Sequence, residues 1–114
     1  MKDCLFCKII NGEIPSKKVY ENQFVYAFED IAPCAPVHVL VVPKKHFESA
    51  KELTGADAEI LSEIFKGINE VARLTGVSES GYRVVTNVGR DAGQSVLHLH
   101  FHVLGGKLFG ADFG

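Results

Sequence analysis

The chain has 114 residues, enough for one compact core and too few for two, so a single domain over residues 1–114 is expected. Apolar side chains make up 46% and charged ones 23%, an average globular balance that argues against disorder, and no stretch is long or apolar enough to span a bilayer. A formal net charge of −2 argues against general nucleic-acid binding, which draws on clustered Lys and Arg, although a few backbone N–H groups could still hold a small anion. Met1 to Cys7 carries acid and cysteine where a secretory signal needs a basic start and an apolar run, so a cytoplasmic protein is expected.

Leu5 to Asn11 has apolar residues at Leu5, Phe6, Ile9 and Ile10, a spacing that predicts a short helix ended by Asn11-Gly12. Val19-Tyr20, Phe24 to Phe28 and His38 to Val42 read as strands, the last closed by Pro43. Between the second and third, Pro33 and Pro36 impose an ordered loop. Ile60, Leu61, Ile64, Phe65, Ile68, Val71 and Ala72 follow a helical stripe, which predicts one long helix over Ala56 to Leu74, with Thr54 as N-cap and Gly76 as terminator. Two further strands are expected at Tyr82 to Asn87 and Leu97 to Leu104, joined by the glycine-containing loop Val88 to Ser95. Strands around a single long helix, without strand–helix alternation, indicate an antiparallel α+β sheet.

Three cysteines is an odd number. Cys4 and Cys7 form a C-x-x-C pair, which in a cytosolic chain suggests metal or redox chemistry more than a structural disulfide. The spacing is half of a tetrahedral zinc site; a thioredoxin-like redox pair and two unligated thiols are the alternatives. Cys34 stands alone and reads as a small buried or half-buried side chain.

The last strand holds the strongest chemical signal, His98-Leu99-His100-Phe101-His102-Val103-Leu104. Alternation along a strand would put the three histidines on one face, near enough to surround a phosphate, and Leu99, Phe101 and Val103 on the other, against the long helix. Three imidazoles in alternation are hard to explain as packing, since each buried ring needs hydrogen-bond partners. A zinc held by all three is the chemical rival. Just upstream, Gly89 and Gly93 allow close backbone approach to a ligand, and Ser95 brings a hydroxyl.

The segment from Gly93-Gln94-Ser95 through His98, His100 and His102 to Gly105-Gly106 resembles the signature of the histidine triad (HIT) family. Asp3 to Ile10, Glu13-Ile14-Pro15, Ala27 to Ile31, Pro36-Val37-His38 and Val42 to His46 are similar, in order and spacing, to its Hint branch of purine nucleoside phosphoramidases. The resemblance implies a five-stranded antiparallel sheet with one long and one short N-terminal helix, pairing into a ten-stranded homodimer. It implies hydrolysis of purine nucleoside phosphoramidates, such as adenosine 5'-phosphoramidate, through a nucleotidyl-histidine intermediate on His100. His102 and Ser95 would contact the phosphate or leaving group. His98 and His38 would complete the catalytic cluster, and Asn87, Gly93 and Gln94 would lie by the phosphate. Asp30 would bind the ribose, with Leu5, Phe6, Ile9, Phe28 and Ile31 around the purine. Read without the resemblance, those five apolar residues are ordinary core, and a simple turn former is the alternative for Asp30.

Some relatives with a C-x-x-C pair bind a structural zinc, and by motif position its other ligands here would be His46 and His98. No catalytic metal is implied. Dinucleoside polyphosphate hydrolysis, and a nucleotide- or zinc-binding interaction module with little turnover, are the alternative functions. Neither nucleic acid nor a membrane is an expected partner. Lys107 to Gly114 departs from the Hint pattern by lacking a Trp-Pro-Pro-Gly ending, which leaves the leaving-group preference open.

Overall fold

Val37, Val39 and Val41 alternate with His38, Leu40 and Val42 along the central strand, and these two sets address opposite sides of the molecule. In the computed structural model, which describes residues 3–113, that strand is β3 (Val37–Pro43); Met1, Lys2 and Gly114 of the expected domain lie outside the described residues. β3 pairs antiparallel with β2 (Val25–Glu29) on one side and with β5 (Phe101–Gly105) on the other. The hairpin strand β1 (Lys18–Glu21) flanks β2, and β4 (Tyr82–Val85) flanks β5, giving the order β1-β2-β3-β5-β4 with every pair antiparallel.

One face of this sheet presents Val25, Ala27, Val39, Val41, Leu99, Phe101 and Val103 to Ile64, Ile68 and Val71 of the long helix α2 (Ala58–Leu74). The other carries Tyr26, Phe28, Leu40 and Val42, covered by Phe6 and Ile9 of the short helix α1 (Leu5–Ile10). A sheet buried on both faces needs apolar residues at successive positions, which is why β3 reads as a continuous run. The α+β architecture expected from the sequence is the one observed. Among the described residues no helix is long and apolar enough to cross a membrane.

The departures from expectation have local causes. Thr54 caps a single 3-10 turn over Gly55–Asp57, accepting from the Ala56 N–H while Asp57 accepts from the Thr54 N–H, so α2 proper begins at Ala58 rather than Ala56. At its other end Gly76 adopts φ +81°, the left-handed conformation that stops a helix. β4 stops at Val85, two residues early. The strand expected over Leu97 to Leu104 is regular only from Phe101. Upstream of that, the Leu99 N–H donates to the Phe47 carbonyl at 2.7 Å and not to a neighbouring strand.

Gly67 lies in the interior of α2, where glycine ordinarily costs about 1 kcal/mol relative to alanine. Here it makes room for the sheet, because a Cβ at this position would meet Val25 Cγ2 at 3.0 Å. Gly67→Leu should therefore destabilise the fold by about 1–3 kcal/mol or more through overpacking, despite leucine's better helix propensity. Urea denaturation measures this directly; a more stable leucine variant would contradict the packing argument.

Candidate active site and metal centre

All five histidines of the chain gather on the α1 side of the sheet, and each has one ring nitrogen tied down. His98, fully buried, directs Nε2 at the Pro43 carbonyl at 2.9 Å. A carbonyl only accepts, so Nε2 carries the proton and Nδ1 holds the lone pair. That Nδ1 lies 3.2 Å from Cys4 Sγ, 3.5 Å from Cys7 Sγ and 3.1 Å from His46 Nδ1. Cys7 Sγ is in turn 3.5 Å from His46 Nδ1, and the four ligand atoms all fall within 4.8 Å of one another. A tetrahedral zinc with bonds of about 2.0–2.3 Å requires ligand atoms roughly 3.3–3.8 Å apart. The donor set fits such an ion, and all four residues named from sequence are in place.

The electrostatics point the same way. Burial and the adjacent Cys4 thiol push the Cys7 thiol up to about 11, and burial pulls His98 down to about 4. Two sulfurs beside the His98 Nδ1 lone pair form a cluster that a divalent cation would complete, deprotonating the thiols as it bound. The two cysteines arrive there because Cys4 is the N-cap of α1, its sulfur accepting from the Cys7 N–H.

His100 is 5% exposed and turns the opposite way. Its Nδ1–H donates to the His98 carbonyl at 2.7 Å, so the lone pair lies on Nε2. Phe6 packs edge-on against this ring at 5.1 Å between centroids, and His102 lies at the same centroid distance on another side. The His100 carbonyl accepts from the Thr86 hydroxyl at 2.8 Å. Nothing in the sequence pattern marks Thr86, whose β-branched side chain reads simply as strand.

The third ring belongs to a relay. The Cys34 N–H donates to His38 Nδ1 at 3.2 Å, which fixes the His38 proton on Nε2. From there it is shared between His102 Nδ1 at 2.9 Å and Asp30 Oδ2 at 3.4 Å. His102 accepts on Nδ1 and so carries its own proton on Nε2. Asp30, His38 and His102 also lie close enough to suit a metal, but the Cys34 amide holds His38 in the wrong tautomer for ligation through Nε2. The three triad rings thus direct Nδ1 at three different partners. Their Nδ1 atoms do not converge on one point, which counts against the rival reading of a zinc shared by all three.

The remaining expected site residues divide among neighbouring features. Phe6, Ile9 and Phe28 are buried together, with Phe6 edge-on to Phe28, as the core under α1. Leu5 and Ile31 are exposed. Ser95 and Leu5 line an open groove of about 860 Å³ with Cys4, His46 and Glu48, whereas Asp30 and Ile31 line a separate one of about 480 Å³ with Pro15 and Lys17. Asp30 also accepts from the Ala32 N–H, so the turn-forming role is present as well. Asn87 is half-buried just beyond β4.

Gln94 is wholly engaged within the protein. Its carbonyl accepts from the Gly89 N–H, and its amide donates to the Glu48 and Val96 carbonyls. The Gly93 and Gln94 N–H groups, expected to face an anion, donate instead to the Arg90 and Gly89 carbonyls. Cys34 is exposed and not buried, and its main chain, not its thiol, serves the site.

The chain matches the HIT domain family over residues 11–108. It is 46% identical over 102 residues to a HIT-like protein of Helicobacter pylori, covering 90% of this chain and 95% of that one. Among solved structures it is similar to a HIT family hydrolase from Clostridium thermocellum, at 49% identity and a TM-score of 0.96, covering 99% of this chain and 98% of that one. It is also similar to a histidine triad nucleotide-binding protein from Candida albicans, at 35% identity and a TM-score of 0.81, covering 97% and 87% respectively.

Burial lowers His38, against the pull of Asp30, and lowers His102 to about 4, with His100 and His38 adding to the effect. In the unfolded chain both rings titrate near their ordinary value of about 6.5 and there bind the protons that the folded state refuses. Stability contributed by these rings is therefore complete above that pH and lost as pH falls towards about 4. The urea midpoint of reduced, chelator-treated protein should be lower at about pH 5 than at about pH 7, and less so in His102→Asn. A midpoint that does not fall would mean these rings are not held neutral.

Proposed function

The chain belongs to the HIT family, and on that premise we propose that it is a nucleotide hydrolase acting on purine nucleoside phosphoramidates, with His100 as its nucleophile. The observation that carries the reading is the 2.7 Å bond from His100 Nδ1–H to the His98 carbonyl, which fixes the tautomer that leaves the lone pair on Nε2. Such an imidazole needs no separate base at neutral pH. The names of the Clostridium hydrolase and the Candida nucleotide-binding protein support a hydrolase of nucleotides.

In the first step His100 Nε2 attacks the phosphorus and the phosphorus–nitrogen bond to the leaving amine breaks. A proton reaches the departing nitrogen from the side of Ser95 and His102, whose Nε2–H is set by the His38 relay. The phosphoimidazole then carries positive charge, which the His98 carbonyl stabilises through Nδ1–H. In the second step water attacks phosphorus, the bond to Nε2 breaks, and the water proton returns to the Ser95 and His102 side. The sum is phosphoramidate plus water giving nucleoside monophosphate plus amine.

Asp30 takes the ribose hydroxyls and Ile31, in the same groove, borders the purine, with Phe6, Ile9 and Phe28 acting as its rigid floor, while Leu5 lies in the other groove beside Ser95. Asn87 and the loop Gly93 to Ser95 border the phosphate. Gln94 holds that loop in shape, so an amide contact from it falls to Ser95. Zinc on Cys4, Cys7, His46 and His98 is a structural ion, all four positions being protein ligands. Bound there, it would neutralise two thiolates and tie α1 to the triad segment. Two chains pair into a ten-stranded sheet through edge strand β4 and α2, whose Leu61 and Phe65 are exposed.

The deciding experiment is hydrolysis of adenosine 5'-phosphoramidate by the wild type and by His100→Ala, each with and without a strong chelator. Wild-type turnover should survive chelation while the protein stays folded, and His100→Ala should lose it by about 10³-fold or more, as expected when a nucleophile is removed. No wild-type turnover would sink the substrate assignment, and loss on chelation from folded protein would make the metal catalytic. Metal analysis is expected to find about one zinc per chain, as four ligands closing one tetrahedral site require, and Cys7→Ser should lose it. Full zinc retention in Cys7→Ser would refute the ligand set.

A further inference from the structure

The ring of His100 is held by the His98 carbonyl, but a ring is only as well placed as the backbone that bears it. β5 begins at Phe101 and its last ladder partner on β4 is the pair Val85 and His102. His100 therefore lies just beyond the regular sheet. There its carbonyl accepts from a side chain, the Thr86 hydroxyl, at 2.8 Å. Threonine is stiff at χ1, so its hydroxyl is a rigid donor where a longer side chain would be a loose one.

We propose that Thr86 is a positioning residue for His100, anchoring the main chain at the point where the ladder ends so that Nε2 stands at a fixed place above the sheet. The inference rests on the reading of His100 as nucleophile. Two bonds then define the residue, one on its main chain and one on its ring: Thr86 holds its carbonyl, and His98 holds its Nδ1. Both Thr86 and His100 lie away from solvent, half-buried and buried respectively. Loss of the hydroxyl would leave a carbonyl without its donor and let the backbone relax, and small displacements of a reacting group are expensive in rate.

The test compares Thr86→Val, which keeps the shape and removes the hydroxyl, with Thr86→Ser, which keeps the hydroxyl. Thr86→Val should lower kcat roughly tenfold with KM within about twofold, since the substrate contacts are untouched. Thr86→Ser should restore kcat to within about threefold of wild type, and zinc content should be unchanged in both. Nitrogen NMR of the imidazoles should show a single His100 tautomer, protonated on Nδ1, in wild type and Thr86→Ser, and a mixture or broadened signal in Thr86→Val. Thr86→Ala makes the same comparison if valine does not pack.

Unchanged kcat in the valine variant, a serine variant as slow as valine, or a loss confined to KM would each overturn the proposal. A wild type without phosphoramidate turnover would instead overturn the functional reading, while the tautomer spectrum would still decide the role of Thr86.

Discussion

An imidazole has two nitrogens and, when neutral, one proton, so whatever fixes one nitrogen decides what the other can do. That constraint organises the whole site. The Pro43 carbonyl takes the proton of His98 and turns its lone pair towards sulfur. The His98 carbonyl takes the proton of His100 and turns its lone pair outward, and the Cys34 amide makes His38 a donor to His102. In each case the deciding partner is main chain, which is never protonated or deprotonated in this pH range. Three residues of one type thus acquire three chemical characters without a change in side chain.

His98 belongs to two structures at once. Its ring joins the cysteines and His46, and its carbonyl orients His100. Phe6, between Cys4 and Cys7 in sequence, packs edge-on against both rings at 5.9 and 5.1 Å between centroids. The N-terminal helix, the metal cluster and the triad are therefore mechanically continuous. A shift of α1 would reach His100 through Phe6 and through His98 together, so an ion held by the cysteine–histidine cluster would act on the placement of His100 without touching it.

Much of this was legible in the sequence for identifiable reasons. The stripe of α2 and the apolar run of β3 are long and strongly periodic, so both elements emerge within a few residues of their observed ends. The grouping of Cys4, Cys7, His46 and His98 was legible because the motif order of the resemblance specified it, although 94 positions separate Cys4 from His98. What escaped were the roles of main-chain groups and of residues with no chemical signature. The Pro43 and His98 carbonyls and the Cys34 amide carry no side-chain code, and Thr86 looks like any strand threonine. Gln94 was placed by the phosphate only through the resemblance, and its type does not reveal that its side chain ties the loop together and to Glu48.

The one clear misreading of secondary structure is informative about the chemistry. His98-Leu99-His100-Phe101-His102 has the alternation of a strand, and the alternation of faces is real, since Leu99, Phe101 and Val103 all pack beneath α2. Only the ladder is missing before Phe101. Had it continued, the main-chain groups of residues 98 to 100 would be committed to neighbouring strands. Instead Leu99 pairs with Phe47, and the His98 carbonyl is released to accept from the ring two residues later. A side-chain imidazole can be oriented by its own local backbone only where that backbone has left the sheet. Alternation of side chains keeps the three rings on one face, and departure from the ladder lets the first of them set the tautomer of the second.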